Sequence, residues 1–600
     1  MSIFWVIAIS LIATGFGWRL LDCFKIDFED EREKSIVSLC LGFGLISYAV
    51  VAIGLLRLLY SHAIFALLLV LAIFSFRNII GIIKSIFASL KNITLADIPP
   101  FYRILLSFLV LVLMFTFVGA LAPVTGHDSQ AYRLTQIRIF VKQHAVTYLP
   151  FTRESLWPYL IEMLFASGMS ISSDITAKLI AWSFGVILIA LSYVFTSRHY
   201  SKKAGILTAV IFSMTPAVFM QMAFAYVDLA FAVYSIIFLI LCLKYLSTLK
   251  NSWAVLAGVF GGFTLSIKYV GIITVFAAAI TIICYAFIQR LPWKAVLRGL
   301  VITAICAFIF SFSWYLRAYL IKGNPLYPLA GSFFNNHGWE KGTSELLGTG
   351  LSLNSFIQLP LVLLLDYRFG GENFGPAYLL FLPFAFLINK NKNIFSYLGI
   401  FTVIYILLWF FSMAVTNRFL FPVLLILSML IGCGLDSRLK EKGQFPLFIK
   451  ILLLGFCIFG LSLALYHNLP RVKVAFGLES KHQYLLKQER SYKAENFIKD
   501  NLPPDAVIFM IGELRAYYMD RKYIHFEGFM NEHKLNSQTL QPGELLSMLK
   551  QQNIKYILYC IQESAPPEFS LEGIPELGLL FSCIHIDKDK KIYNYKVFKI

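Results

Sequence analysis

The stretch Thr125-Gly126-His127-Asp128-Ser129-Gln130-Ala131-Tyr132-Arg133 sets an acid between an imidazole and a guanidinium, directly after the apolar run 104–121. A carboxylate just outside a hydrophobic span is costly to keep there without a task. As a plain structural residue, Asp128 would cap a helix at the bilayer surface. A second acid, Asp228, stands in Ala225-Tyr226-Val227-Asp228-Leu229-Ala230, at the boundary between two apolar runs. Alone it would complement a helix dipole. Two carboxylates on one face suit general-base work on a hydroxyl, or co-ordination of a divalent cation.

Cations accompany them. Lys268 interrupts the apolar stretch Gly261-Gly262-Phe263-Thr264-Leu265-Ser266-Ile267-Lys268-Tyr269. It either snorkels to the surface or faces inward as an ammonium for a phosphate. Arg317 closes Trp314-Tyr315-Leu316-Arg317, and Arg418 opens a span in Thr416-Asn417-Arg418-Phe419. Lys and Arg at three span ends, beside two Asp, match an anionic lipid headgroup, because guanidinium groups pair well with phosphate oxygens. Glu162 lies on a short interfacial helix that starts at Trp157-Pro158-Tyr159, and Lys322-Gly323-Asn324-Pro325-Leu326-Tyr327-Pro328 fixes a tight, extended turn.

Membrane helices must position these groups. At 58% hydrophobic and 14% charged, the composition excludes a soluble chain. Its apolar runs are long enough for about 14 spans across the bilayer core. They fall near 2–21, 35–57, 60–76, 104–122, 175–196, 204–222, 226–247, 253–267, 269–289, 299–320, 375–389, 395–413, 418–435 and 447–466. The first lacks a basic leader and a small-residue cleavage site, so it reads as a retained span. Residues 354–367, ending in Asp366-Tyr367-Arg368, suit an interfacial or re-entrant piece. No series of short alternating segments suggests a β-barrel.

The net charge of +18 would fit nucleic acid, but the basic residues are spread among short loops. That is the positive-inside pattern. Six clusters, from Arg77/Lys84/Lys91 to Arg438/Lys440/Lys442, fall on one side, which is therefore cytoplasmic. The loops 123–174 and 322–353 and the C-terminal tail share the outer side. In the tail, Val507–Gly512 and 554–559 read as buried strands, with helices at 492–501 and 542–551, giving a small α/β domain. A single Gly after the first strand reads as a structural turn rather than a nucleotide site. Seven cysteines lie in or beside apolar runs; Cys560 and Cys583, in the tail, are candidates for pairing.

In order, the chain carries Asp128 followed by Tyr132, Pro158 before Glu162, Tyr-Val-Asp-Leu-Ala around Asp228, Lys268-Tyr269 and Trp-Tyr-Leu-Arg ending at Arg317. Gly-Asn-Pro-Leu-Tyr-Pro at 323–328 and Arg-Phe-Leu-Phe-Pro at 418–422 complete the series. This resembles the GT-C membrane glycosyltransferases related to protein O-mannosyltransferases and lipid A aminoarabinose transferases. The resemblance covers about 104–467 and implies a GT-C-like module there, additional helices at 1–103 and a separate domain at 468–600. It implies a polyprenyl-phosphate sugar donor and a glycan, lipid or protein acceptor. Asp128 would be the catalytic base and Asp228 a second acid at the site. Lys268, Arg317 and Arg418 would be candidates for the donor phosphate, and His127, Tyr132, Arg133 and Glu162 would line the substrate. Arg133 replaces a frequent His and Asp128 stands where many relatives have an acidic pair, so the acceptor and any divalent cation stay open. The expected setting is the bacterial cytoplasmic membrane, with the active face outward. A lipid-linked oligosaccharide flippase, a polysaccharide polymerase or ligase, and a scaffold with a sensor domain are the alternatives. A flippase would place polar groups at mid-span; here the charges gather at one face.

Overall fold

A computed structural model of the chain describes residues 1–91, 95–331, 333–334, 353–365, 373–411, 416–535, 539–563, 569–571, 574–587 and 590–600. The turn at Asp366-Tyr367-Arg368 and most of the loop 322–353 lie outside them. The protein is a multi-pass helical membrane protein with a small sheet domain at its C-terminal end. Among the described residues, ten helices are long and apolar enough to cross a membrane.

Four of the expected spans resolve differently, each for a local reason. The 60–76 run continues into a second helix, Phe76–Lys91, bent by 77° from the first. That second helix carries Arg77, Lys84 and Lys91, so it is too polar to go on across the hydrocarbon. The 204–222 run breaks into Lys202–Ser213 and Pro216–Gln221, because Pro216 starts a new helix rather than continuing the old one. The helix Asn251–Ile267, at 17 residues, stops short where Lys268 turns to extended backbone. The 375–389 run splits at Leu382-Pro383 into Ala377–Phe381 and a 3-10 turn. Elsewhere the expected spans hold, from Ser2–Cys23 to Gln444–Ala475.

Sidedness is visible in the contacts. Arg198 and Lys244 both pair with Glu33, at 2.8 and 3.1 Å, so three basic-side turns meet. Tyr200 reaches Asn389 at 2.8 Å, and Ser201 reaches Asp436 at 2.7 Å. At the other end, the Ser2 hydroxyl lies 3.0 Å from that of Ser173. The basic loops therefore share one face, and the acidic site residues share the opposite one.

The C-terminal domain is a five-stranded sheet in the order β2-β1-β3-β5-β4, with β1 Val507–Ile511, β2 Lys522–His525, β3 Tyr556–Gln562, β4 Gly578–Ile586 and β5 Ile592–Lys599. β1 runs parallel to β2 and β3, and β5 runs antiparallel to β3 and β4. Phe509 and Ile511 face the helix Pro542–Gln551, whereas Ile508 and Met510 face Tyr492–Asn501. Burial on both faces explains the unbroken apolar run of β1. Cys560 and Cys583 are free thiols. Both stand opposite Tyr595 of β5, one on each side of it. Two strand spacings, about 9–10 Å, exceed the reach of a disulfide.

Candidate functional site

The helix Pro100–Leu121 ends beneath the Asp128 segment, and a buried lysine fixes that end. Lys178, from Asp174–His199, donates to the carbonyls of Gly119 at 3.1 Å and Ala122 at 2.5 Å. These are carbonyls that a helix terminus leaves open, and a cation there is favourable. Residues Ser129–Arg133 then form a π-helical turn. Such a wide turn is common at functional sites because it redirects side chains that a regular helix would hold apart. Asp128 makes no capping hydrogen bond, so the helix-cap reading does not describe it.

Asp128 instead faces cations. Its Oδ2 lies 2.9 Å from Arg418 Nη1 and 4.0 Å from Arg133 Nη2. Tyr132 donates its hydroxyl to the same oxygen at 2.8 Å. Burial alone would raise the Asp128 carboxyl, but Arg418 and then Arg133 overturn that and hold it well below the ordinary carboxylate range. Asp228 opens the helix Asp228–Thr248 and accepts from Lys268 Nζ at 2.5 Å. Lys268 therefore turns inward rather than snorkelling, over the face of Phe419 at 4.8 Å. Arg418 Nη1 is also 4.0 Å from Asp228 Oδ2, so one guanidinium stands between the two aspartates. Arg133 pairs with Glu162, which is buried on the helix Leu160–Ile171.

Three acids and three cations thus meet, from five separate stretches of chain. Their charges cancel, which is what makes the burial of all six tolerable. Beside them opens a cavity of about 240 Å³, lined by His127, Asp128, Tyr132, Arg133, Glu162, Lys268 and Arg418 among others. Several donors remain unused: Arg133 Nε and Nη2 and Arg418 Nε have no hydrogen-bond partner among the described residues. Buried guanidinium donors without acceptors are an unfavourable arrangement that an anionic ligand would relieve.

Arg317 departs from the sequence expectation. Its guanidinium donates to the carbonyls of Ser155 at 3.1 Å and Thr147 at 3.0 Å, and it does not line the cavity. It holds the loop before Glu162 instead of facing a phosphate. The divalent cation finds no fitting ligand set either. Among the described residues no three His, Cys, Asp or Glu side chains are grouped so as to hold a metal ion, and Arg418 stands between the two aspartates.

The turn at 323–328 takes its shape from Asn324, which is buried, accepts from Leu326 N–H at 2.8 Å and donates to the Leu329 carbonyl at 2.8 Å. Pro328 and Leu329 thereby reach the cavity wall.

The C-terminal domain closes over this assembly, a contribution without a signal in the sequence. Gly512, at φ +74°, ends β1 where a Cβ would meet the Cys560 carbonyl at 2.2 Å. The following Glu513-Leu514-Arg515 docks on the Asp128 segment. Gln130 donates to Glu489 at 2.5 Å, Arg515 pairs with Glu489 at 2.8 Å, and Tyr518 donates to the Val124 carbonyl at 2.8 Å. Burial would raise Glu513, but Arg490 and Arg515 prevail and hold it down to about 2. Leu514 and His525 line the cavity itself.

Residues 140–327 match the family model described as "Dolichyl-phosphate-mannose-protein mannosyltransferase", a match over less than half of the chain. No curated protein matches in sequence. In structure the chain is similar to ArnT from Cupriavidus metallidurans bound to undecaprenyl phosphate, with a TM-score of 0.52 at 12% identity, covering 82% of this chain and 97% of that one. The apo form of the same protein gives 0.51 at 13% identity, with the same coverage. The archaeal oligosaccharyltransferase AglB from Archaeoglobus fulgidus, in complex with an inhibitory peptide and a dolichol-phosphate, is similar at a TM-score of 0.46 and 13% identity, over 76% of this chain and 69% of that one. The resemblance read from the motifs is borne out at the level of fold: this is an ArnT-like membrane architecture with a C-terminal sheet domain.

Proposed function

We propose that this protein is a glycosyltransferase that moves a sugar from a polyprenyl-phosphate donor to a glycan, lipid or protein acceptor. The observation that carries this is the set of guanidinium donors on Arg133 and Arg418 left unused among the described residues, beside two ion-paired aspartates and an adjoining cavity. The family match and the ArnT-like fold support the same donor class.

In the resting site Arg418 and Lys268 neutralise Asp128 and Asp228. A carboxylate held so far below its ordinary range is a weak base. A donor phosphate offers the two cations another anion, and as they turn to it Asp128 becomes more basic. The acceptor oxygen or nitrogen then attacks the anomeric carbon, its proton passes to Asp128, and the bond from that carbon to the phosphate oxygen breaks. The electron pair leaves with polyprenyl phosphate, whose charge Arg418 and Lys268 stabilise as it develops. One displacement inverts the anomeric configuration. Asp228 acts through Lys268 by holding the ammonium in place.

The setting in this reading is a bacterial cytoplasmic membrane, and the positive-inside distribution supports this face being outward. The division into helices at 1–103, a catalytic module at 104–467 and a domain at 468–600 goes with this reading. Purified protein in liposomes, given a panel of polyprenyl-phosphate sugars and envelope acceptors, should release polyprenyl phosphate from at least one. Transbilayer movement of the lipid-linked sugar without cleavage would instead establish a flippase.

A further inference from the structure

Three membrane helices end together beneath the C-terminal domain. Ser2, which opens Ser2–Cys23, places its hydroxyl 3.0 Å from that of Ser173, which precedes Asp174–His199. Lys481 follows closely on Gln444–Ala475 and brings its ammonium 3.7 Å from Asp174. At this junction lies a second cavity, of about 510 Å³, lined by Arg138, Asp174, Lys481, His482, Lys499 and Tyr517 among others. The span ends fix its depth: it sits where hydrocarbon gives way to lipid headgroups.

In the catalytic cluster the acids and cations cancel. Here Arg138, Lys481 and Lys499 meet a single acid, Asp174. That acid is partly engaged already, since the Tyr517 hydroxyl donates to it at 3.1 Å. Arg138 is held in place by Asp520 at 3.4 Å and lies over the Tyr517 ring at 5.2 Å. Lys499 is exposed and forms no ion pair among the described residues. The cavity therefore keeps a positive excess that a phosphate would complement. Large apolar side chains stand exposed beside it. Ile3, Phe4 and Ile7 follow Ser2 on the first helix, and Phe476 and Leu478 precede Lys481. Exposed apolar surface next to a cationic pocket suits a ligand with acyl chains and an anionic head.

We propose that this cavity binds an anionic phospholipid from the leaflet on the C-terminal domain's side, with Arg138, Lys481 and Lys499 facing its phosphate. A free phosphate would use the cations but leave the apolar flank bare, so the lipid accounts for more of the site. Arg138 belongs to the helix Leu134–Gln143 behind Asp128, whereas Lys481 and Lys499 belong to the C-terminal part of the chain. The headgroup thus bridges the two. Tyr518, which donates to the Val124 carbonyl ahead of Asp128, also lines the cavity, so the lipid helps to seat the domain on that segment. The inference rests on the membrane placement of the chain and not on sugar transfer.

Photocross-linking of the full-length protein in nanodiscs tests this. The probes are phosphatidylglycerol and phosphatidylcholine, each carrying a diazirine on the headgroup, with the attachment sites mapped by mass spectrometry. Phosphatidylglycerol should label the stretch 481–499, and phosphatidylcholine should label it far less. Each near-surface lysine strengthens capture of an anionic head about fivefold, so Lys481→Gln with Lys499→Gln should cut that labelling about thirtyfold at low probe fraction. Labelling of the basic loops on the opposite face should stay unchanged, which shows that the variant is folded and inserted. Wild-type protein unlabelled at 481–499, equal labelling by the two lipids, or an unaffected double variant would each overturn the proposal. So would loss of the label to excess inorganic phosphate or to soluble hexagalacturonate, which would assign the cavity to a free phosphate or to an anionic glycan.

Discussion

Replacing Arg418 by Gln removes the guanidinium that stands between Asp128 and Asp228. In the wild type the Asp128 carboxyl is depressed, so its contribution to stability is fully present above its unfolded value, about pH 4. That contribution is lost only as the pH falls through the lower, folded value. Without Arg418, the largest remaining influence is burial, which favours the neutral acid. We predict that burial then prevails over Arg133, His127 and Lys268, so that the variant's carboxylate is destabilising at neutral pH and acidification through its raised folded value relieves it. Breaking a buried pair by removing one partner costs about 3–5 kcal/mol. Arg133 at 4.0 Å and the Tyr132 hydroxyl at 2.8 Å still face Asp128, which puts the expected loss at the lower end of that range. The assay is thermal unfolding in detergent, followed by intrinsic fluorescence across about pH 5–8. Wild-type stability should show no rise on acidification from this site, whereas the deficit of Arg418→Gln should narrow toward pH 5. A variant as stable as wild type, or a deficit independent of pH, would refute the reasoning.

Two further perturbations follow from the same geometry. Lys268→Met leaves Asp228 buried without its 2.5 Å partner and should destabilise by about 3–5 kcal/mol, while adding Asp228→Asn should restore most of the loss; unfolding midpoints of both variants check it, and additive losses would contradict the pairing. Cys560 and Cys583 should both alkylate after denaturation without reductant, read as two added masses on the C-terminal peptides, because β5 separates them.

The sequence made the class of protein legible because long apolar runs have few other uses. It also made the site legible, since charged residues at the ends of such runs are rare enough to stand out. Asp128, Asp228, Lys268 and Arg418 were each recognisable alone, and the fold adds that they touch. Arg317 carried the same signal, a cation at a span end, and yet serves carbonyls. Span-end position cannot tell a phosphate partner from a loop partner. The broken runs at Thr215-Pro216 and Ser75 keep their apolar composition, so hydropathy reads through them where backbone geometry does not. His525, Leu514 and Glu489 gave no sign because their neighbours in space are hundreds of residues away in sequence. A strand-end histidine in a mixed domain looks ordinary until a cavity appears beside it.

The central claim is that Asp128 receives the acceptor's proton. Asp128→Asn is nearly isosteric and keeps the 2.9 Å contact to Arg418 within reach while removing the basic oxygen. Sugar transfer and donor binding should be measured together on wild type and variant, in liposomes with the donor that wild type consumes. The expected result is transfer reduced to background with donor binding retained. Transfer at the wild-type rate by Asp128→Asn would contradict the account.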